Sequence, residues 1–217
     1  MHTHERPRIL KADETYTFRK YFDLKFDISD ILQELEVSFA TAEISLPINT
    51  GKIEGLVELQ NRLHKGMRRV GLTSEAARRE VLIAPILIEV AEIAEATIKI
   101  EYNIEVNQYL CGDLDYYLRS AQVGSSPSQY QLLVVEAKRA DLTRGFTQMA
   151  VELIALDSWS ESDRPIFYGA VTTGDIWQFG SFDRQERLIT QDLMLYRSPT
   201  DLEILMQILV GILSDRQ

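Results

Sequence analysis

The stretch that most restricts how this chain can fold is QLLVVEAK at Gln131–Lys138, a nearly continuous apolar run that ends abruptly in two charges. A strand with one wet face would alternate polar and apolar residues. This one does not, so it is expected to be covered on both faces, as a central strand between layers of helix. Glu136 and Lys138 point to the same side of that strand, because side chains two apart share a face. Charges that close so apolar a strand are costly unless they are paired or bound to metal.

The flanking segments supply the layers. Ile98, Ile100, Tyr102, Ile104 and Val106 alternate strictly with Thr97, Lys99, Glu101, Asn103 and Glu105, a strand with one wet face. Gln108 to Arg119 reads as a second strand, with Cys111, Asp113, Asp115 and Tyr117 on one side and Leu110, Leu114, Tyr116 and Leu118 on the other. VGSSPS at Val123–Ser128 reads as a hairpin loop leading to the apolar strand. Upstream, Ile53 to Leu63 reads as a helix with Gly66 as its stop signal, and Glu75 to Glu95 as a second helix capped by Thr73 or Ser74. Pro85 predicts a kink in it near Val81.

Downstream, Phe146, Met149, Ala150, Leu153 and Ile154 form a helical stripe, with Asp141 or Thr143 as cap. Ile166–Val171 is a buried strand. Thr172–Asp175 is a turn into Ile176–Phe179, which Leu188–Tyr196 returns. Ser198 and Pro199 are expected to open a last helix. The order is helix, three strands, helix, strand, hairpin, helix, which predicts an α/β fold with a central mixed sheet flanked by helices. Residues 51–217 are assigned to that domain. Residues 1–50 are read as an N-terminal extension of open role, with strand-like aromatics over Tyr16–Phe26 and a short helix at Ile28–Leu35 capped by Asp27 or Ser29.

With 217 residues, 45% of them hydrophobic, the chain can bury a substantial core. The formal net charge of -10 argues against a protein that coats nucleic acid, since such binding neutralises phosphates with Lys and Arg. It leaves room for a nuclease, whose site collects carboxylates and needs positive charge only locally. Arg62, Lys65, Arg68, Arg69, Arg78 and Arg79 form one basic patch, readable as a solvated helix face or as a phosphate-contacting surface. The lone Cys111, the absence of zinc-type Cys/His spacing, a polar N-terminus and a short apolar tail segment, Ile204–Leu213, together lead us to expect a soluble cytoplasmic protein that does not enter membranes. His2 and His4 near the terminus and His64 on a polar helix read as solvated, and Trp159, Trp177 and Phe179 as packing residues rather than a base-stacking platform.

On their own, Glu136 and Lys138 read as a structural pair at a strand terminus, because Glu-x-Lys is common. The ordered combination changes that: a Gly-x-x-Asp-Tyr strand, an apolar strand ending in Glu-Ala-Lys, and an amphipathic helix carrying Gln148. GDLDYYL followed by LLVVEAKRADLTRGFTQMAVELIALD resembles the metal-binding hairpin and following helix of the PD-(D/E)xK, restriction-endonuclease-like nuclease superfamily, and SEAARREVLIAPIL is similar to its first core helix. The similarity covers roughly residues 74–171. It implies a restriction-endonuclease-like core, with Asp115, Glu136, Lys138 and Gln148 as catalytic residues and Asp115, Glu136 and Glu75 as metal ligands, Glu80 being the lesser choice for the last.

The implied cofactor is Mg²⁺, with Mn²⁺ as a substitute, and the implied partner is nucleic acid, DNA in the first place, with a homodimer as a further expectation. The chain departs from the family pattern in having Leu114 before Asp115 where proline stands, in offering Asp113 as a competing ligand, and in carrying Glu152 where the RecB-like members have tyrosine. Two other readings use the same residues: a nuclease-like scaffold that acts only as an interaction module, and a metal-dependent hydrolase of another phosphoester.

Overall fold

A computed structural model describes residues 8–120, 131–138 and 140–214. The expected hairpin loop at Val123–Ser128, together with His2 and His4, lies outside the described residues. Seven strands form one mixed sheet: β1 Ser38–Ala42, β2 Ala96–Asn107, β3 Leu110–Ser120, β4 Gln131–Ala137, β5 Ile166–Thr172, β6 Ile176–Asp183 and β7 Leu188–Arg197. Their order is β1-β7-β6-β5-β4-β3-β2. The pairs β1/β7 and β4/β5 are parallel, and the others are antiparallel. Every residue of β4 is buried, as its apolar run requires.

Helices cover both faces. On one side lie α1 Phe18–Asp23, α2 Ile28–Glu34 and α6 Leu142–Trp159, which share a core with Leu132 and Val134 of β4. On the other lie α3 Leu56–Arg69, α5 Ala84–Ile93 and α7 Leu202–Ser214, packed with Leu133, Val135 and Ala137. Helix α6 connects the parallel neighbours β4 and β5 and is buried on all sides from Gly145 to Leu156. The Asp141 side chain accepts from the Arg144 N–H at 3.0 Å and caps it.

Tyr16–Phe26 is not a strand. Phe18 and Tyr21, three apart, are both buried, and the segment coils into α1 to bring them to one side. Residues 8–42 belong to the sheet and its cover: β1 pairs with β7, and α1 and α2 bury Phe18, Tyr21, Ile31 and Leu32. Gly66 does not stop its helix, which runs on to Arg69. A Cβ there would come within 2.3 Å of a Val81 methyl, so this glycine serves close helix packing. The last helix opens at Leu202, beyond the expected Ser198–Pro199 start, after a turn in which Asp201 accepts from the Arg197 N–H.

The helix expected over Glu75–Glu95 is composite. Ser74 caps a short α4, Glu75–Arg78, by accepting from the Ala77 N–H at 3.1 Å. A π-helical turn, Arg79–Ile83, then leads into α5. Pro85 has no N–H to give to Val81, and the chain widens at that point into the π turn.

Period-two alternation also fails along β3. Tyr116 and Leu118 join the core beneath α5 and α7, but Leu110, Leu114 and Tyr117 all join the core beneath α6. The faces exchange around Asp115. Opposite it on β2, Glu101 has a positive φ of 50°, the one interruption in the Ile100–Tyr116 and Tyr102–Leu114 register. Such local irregularities re-aim side chains.

Candidate active site

The irregularity in β3 and the end of β4 open a pocket of about 700 Å³, lined by Asp115, Glu136, Lys138, Gln148 and Glu75 together with Arg79, Glu101 and residues of α1. All five residues singled out in the sequence therefore face one cavity. Glu80 is exposed and does not line it.

Asp115 bridges the point where β3 leaves β4. Its Oδ2 accepts from the Ala137 N–H at 2.9 Å, taking the place of a main-chain partner, and its Oδ1 lies 3.6 Å from the Arg79 guanidinium. Asp113, the competing ligand, is exposed and accepts from the Asn103 amide at 2.9 Å.

Glu136 is 1% exposed and pairs with the Lys138 ammonium through Oε1, while its Oε2 is buried without a hydrogen-bond partner. Lys138 stands 5.0 Å over the Phe22 ring of α1, and its own N–H extends the sheet by donating to Thr172 O at 2.8 Å. Gly145 on α6 makes room for it, since a Cβ there would fall 2.9 Å from Lys138 Cγ and 2.7 Å from a Val171 methyl.

From α6, Gln148 donates through Nε2 to Glu152 Oε1 at 2.9 Å, and its carbonyl oxygen has no partner. Glu152 is completely buried, and charge on it disfavours charge on Glu136. Burial pushes the Glu152 carboxyl up to about 8, against the opposing hydrogen bond from Gln148. Burial, then repulsion from Glu152 and Asp115, holds Glu136 well above the ordinary carboxylate range, against the pull of Lys138. Burial alone would lower the Lys138 pKa, but attraction to Glu136 and the hydrogen bond to it leave that pKa raised.

Arg79, Glu101 and Glu152 were not assigned to the site from sequence. Arg79 appears there only as part of a basic patch, which the structure divides. Arg62, Lys65, Arg68 and Arg69 are exposed along α3. Arg78 is structural, donating to Thr173 O and to Asp175 at 2.8 Å and so holding the turn between β5 and β6. Arg79, one residue on, reaches Glu101 at 3.2 Å and the site. Spacing alone places Glu152 one helical turn after Gln148 and Glu101 opposite Asp115 in the hairpin, and it does not say which of these acids the fold brings to the site.

Among the described residues no three His, Cys, Asp or Glu side chains are grouped closely enough to hold a metal as they stand, and Asp115, Glu136 and Glu75 are no exception. Asp115, Glu136 and Glu75 do share the lining of one pocket, as do Asp113 and Glu101. Compared with protein-family models and with curated proteins, the chain matches none.

Proposed function

We propose that this chain is a metal-dependent nuclease with a restriction-endonuclease-like core of the PD-(D/E)xK kind, hydrolysing phosphodiester bonds of nucleic acid, DNA in the first place. The observation that carries the reading is the convergence of Asp115, Glu136, Lys138 and Gln148 on one pocket at the end of β4.

These residues suit a small hard cation. A cation would offset the burial and repulsion that disfavour charge on Glu136, and Glu136 Oε2 is a buried oxygen with no hydrogen-bond partner. Mg²⁺ is commonly held by one or two carboxylates and keeps much of its water, so Asp115 and Glu136 suffice and Glu75 is left to hold that water. When bound, Mg²⁺, or Mn²⁺ in its place, supplies charge at a phosphate oxygen and makes a bound water more acidic.

The side chains do the rest. Lys138, fixed by Glu136 and Gly145, orients the attacking water and stabilises the negative charge that grows at phosphorus. The free Gln148 carbonyl accepts from that water. Arg79 and Arg19 line the pocket from two separate elements and offer the phosphate local positive charge in a chain whose net charge is -10. For a duplex substrate the reading includes a homodimer, one site per strand. A cytoplasmic location goes with it, where the free Cys111 would stay reduced. No helix among the described residues is long and apolar enough to cross a membrane.

Titrating Mg²⁺ and Mn²⁺ while following thermal unfolding tests the cation site. Wild type is expected to gain stability, and Asp115→Ala and Glu136→Ala are expected to gain none. Stabilisation with no cleavage of plasmid or single strands would move the substrate to another phosphoester. No response to either metal would defeat the reading in favour of a non-catalytic scaffold.

A further inference from the structure

A second cleft, of about 330 Å³, lies at the other end of β4 and α6, lined by Lys99, Tyr102, Tyr117, Arg119, Leu132 and Trp159 among others. Trp159, expected from sequence to be a packing residue, is 42% exposed, whereas Trp177 and Phe179 are fully buried as expected. Tyr102 and Tyr117 stack with centroids 5.4 Å apart and planes 12° from parallel. Lys99 sits 3.9 Å over the Tyr102 ring. Trp159 closes α6 and lines this cleft beside Tyr102.

A half-open indole beside Lys99 and Arg119, with Glu161 the one acid among the described lining residues, has the chemistry of a nucleobase platform with phosphate-neutralising cations. We propose that this cleft takes an unpaired nucleobase, and that the substrate of the neighbouring site carries a single-stranded segment. The proposal rests on the nucleic-acid reading above and narrows it.

Base pairing leaves no base face open to an indole, so stacking here selects an unpaired strand. Leu132 in the cleft and Glu136 in the candidate active site are four residues apart on the α6 side of β4, about 13 Å at strand rise. That stretch of β4 is buried beneath α6, so the base held at Trp159 would belong to a part of the substrate that reaches the cleft around the helix rather than along the strand.

The test uses the whole chain in EDTA, titrated with an oligothymidylate about ten nucleotides long while tryptophan fluorescence is followed. Of the chain's two tryptophans only Trp159 is exposed, so it reports the cleft. Saturable quenching by the single strand, with little by a duplex of the same length, is expected. Trp159→Leu should bind the same strand roughly ten-fold or more weakly by anisotropy, and Trp159→Phe should keep most of the affinity. Absence of quenching, or equal affinity in Trp159→Leu of unchanged melting temperature, would overturn the proposal. Metal-dependent cleavage is scored separately. Quenching without cleavage keeps the cleft and defeats the nuclease reading, whereas cleavage without quenching keeps the nuclease and defeats the cleft.

Discussion

Glu152 is a completely buried acid beside another, Glu136, and its proton contributes to how the metal-free protein responds to pH. Its carboxyl titrates near 8 in the folded protein and in the ordinary carboxylate range when unfolded. Between those values the unfolded chain has released a proton that the folded protein keeps, so stability falls as pH rises through this window, by about 1.4 kcal/mol per pH unit for such a group. Below the window both states are protonated and the penalty vanishes. Glu152→Gln should therefore be more stable than wild type at pH 8 in EDTA, by roughly 2–4 kcal/mol, and similar to it at pH 4.5. Urea denaturation at the two pH values measures this, and equal stability at pH 8 would contradict the assignment. Asp115, Glu136, Lys138 and Gln148 were legible because their types and spacing stand out against apolar surroundings. Glu152 was not, because one strand or helix does not say which acids its neighbours will bury. Position 152 registered only as a departure from a family pattern.

At the scale of elements, the site depends on two irregularities and one close approach. The π turn at Arg79–Ile83 begins with the arginine that reaches Asp115, and the break in alternation at Asp115 and Glu101 opens the pocket. Pro85 marked the first in the sequence. The second was not legible, since Ile98–Val106 alternates without a flaw and only the conformation at Glu101 interrupts it. The close approach is Gly145 against Lys138. Gly145→Ala would force Lys138 Cγ or the Val171 methyl to shift, with an expected loss of about 1–3 kcal/mol in stability and a fall in any cleavage rate of roughly ten-fold or more as the ammonium moves. A variant of wild-type stability and wild-type rate would show that Lys138 does not need this seat. Measuring melting and rate on the same preparation separates the two effects.

Across the whole molecule, the α/β architecture and its covered central strand followed from the hydrophobic pattern, and the mixed sheet flanked by helices is as that pattern predicts. What the pattern does not specify is long-range pairing. β1 lies more than a hundred residues from β7, its parallel partner, and its short mixed sequence SFATA carries no strand period. Residues 8–42 fill the core beneath α6 with Phe18, Tyr21, Ile31 and Leu32, and α1 brings Phe22 over Lys138. Each large apolar side chain so buried contributes roughly 1.5–3 kcal/mol. A chain beginning at residue 51 is therefore expected to lose cooperative unfolding and to expose apolar surface to a hydrophobic dye. A cooperative melt near that of the full chain would contradict this.

Cleavage of end-labelled single-stranded and duplex DNA by wild type and Glu136→Gln, with Mg²⁺ and in EDTA, tests whether Asp115 and Glu136 make this pocket a metal-dependent phosphodiesterase. The expected result is product with Mg²⁺ alone, and a rate for Glu136→Gln lower by roughly a hundred-fold or more. Equal cleavage by Glu136→Gln, or cleavage in EDTA, would contradict this assignment.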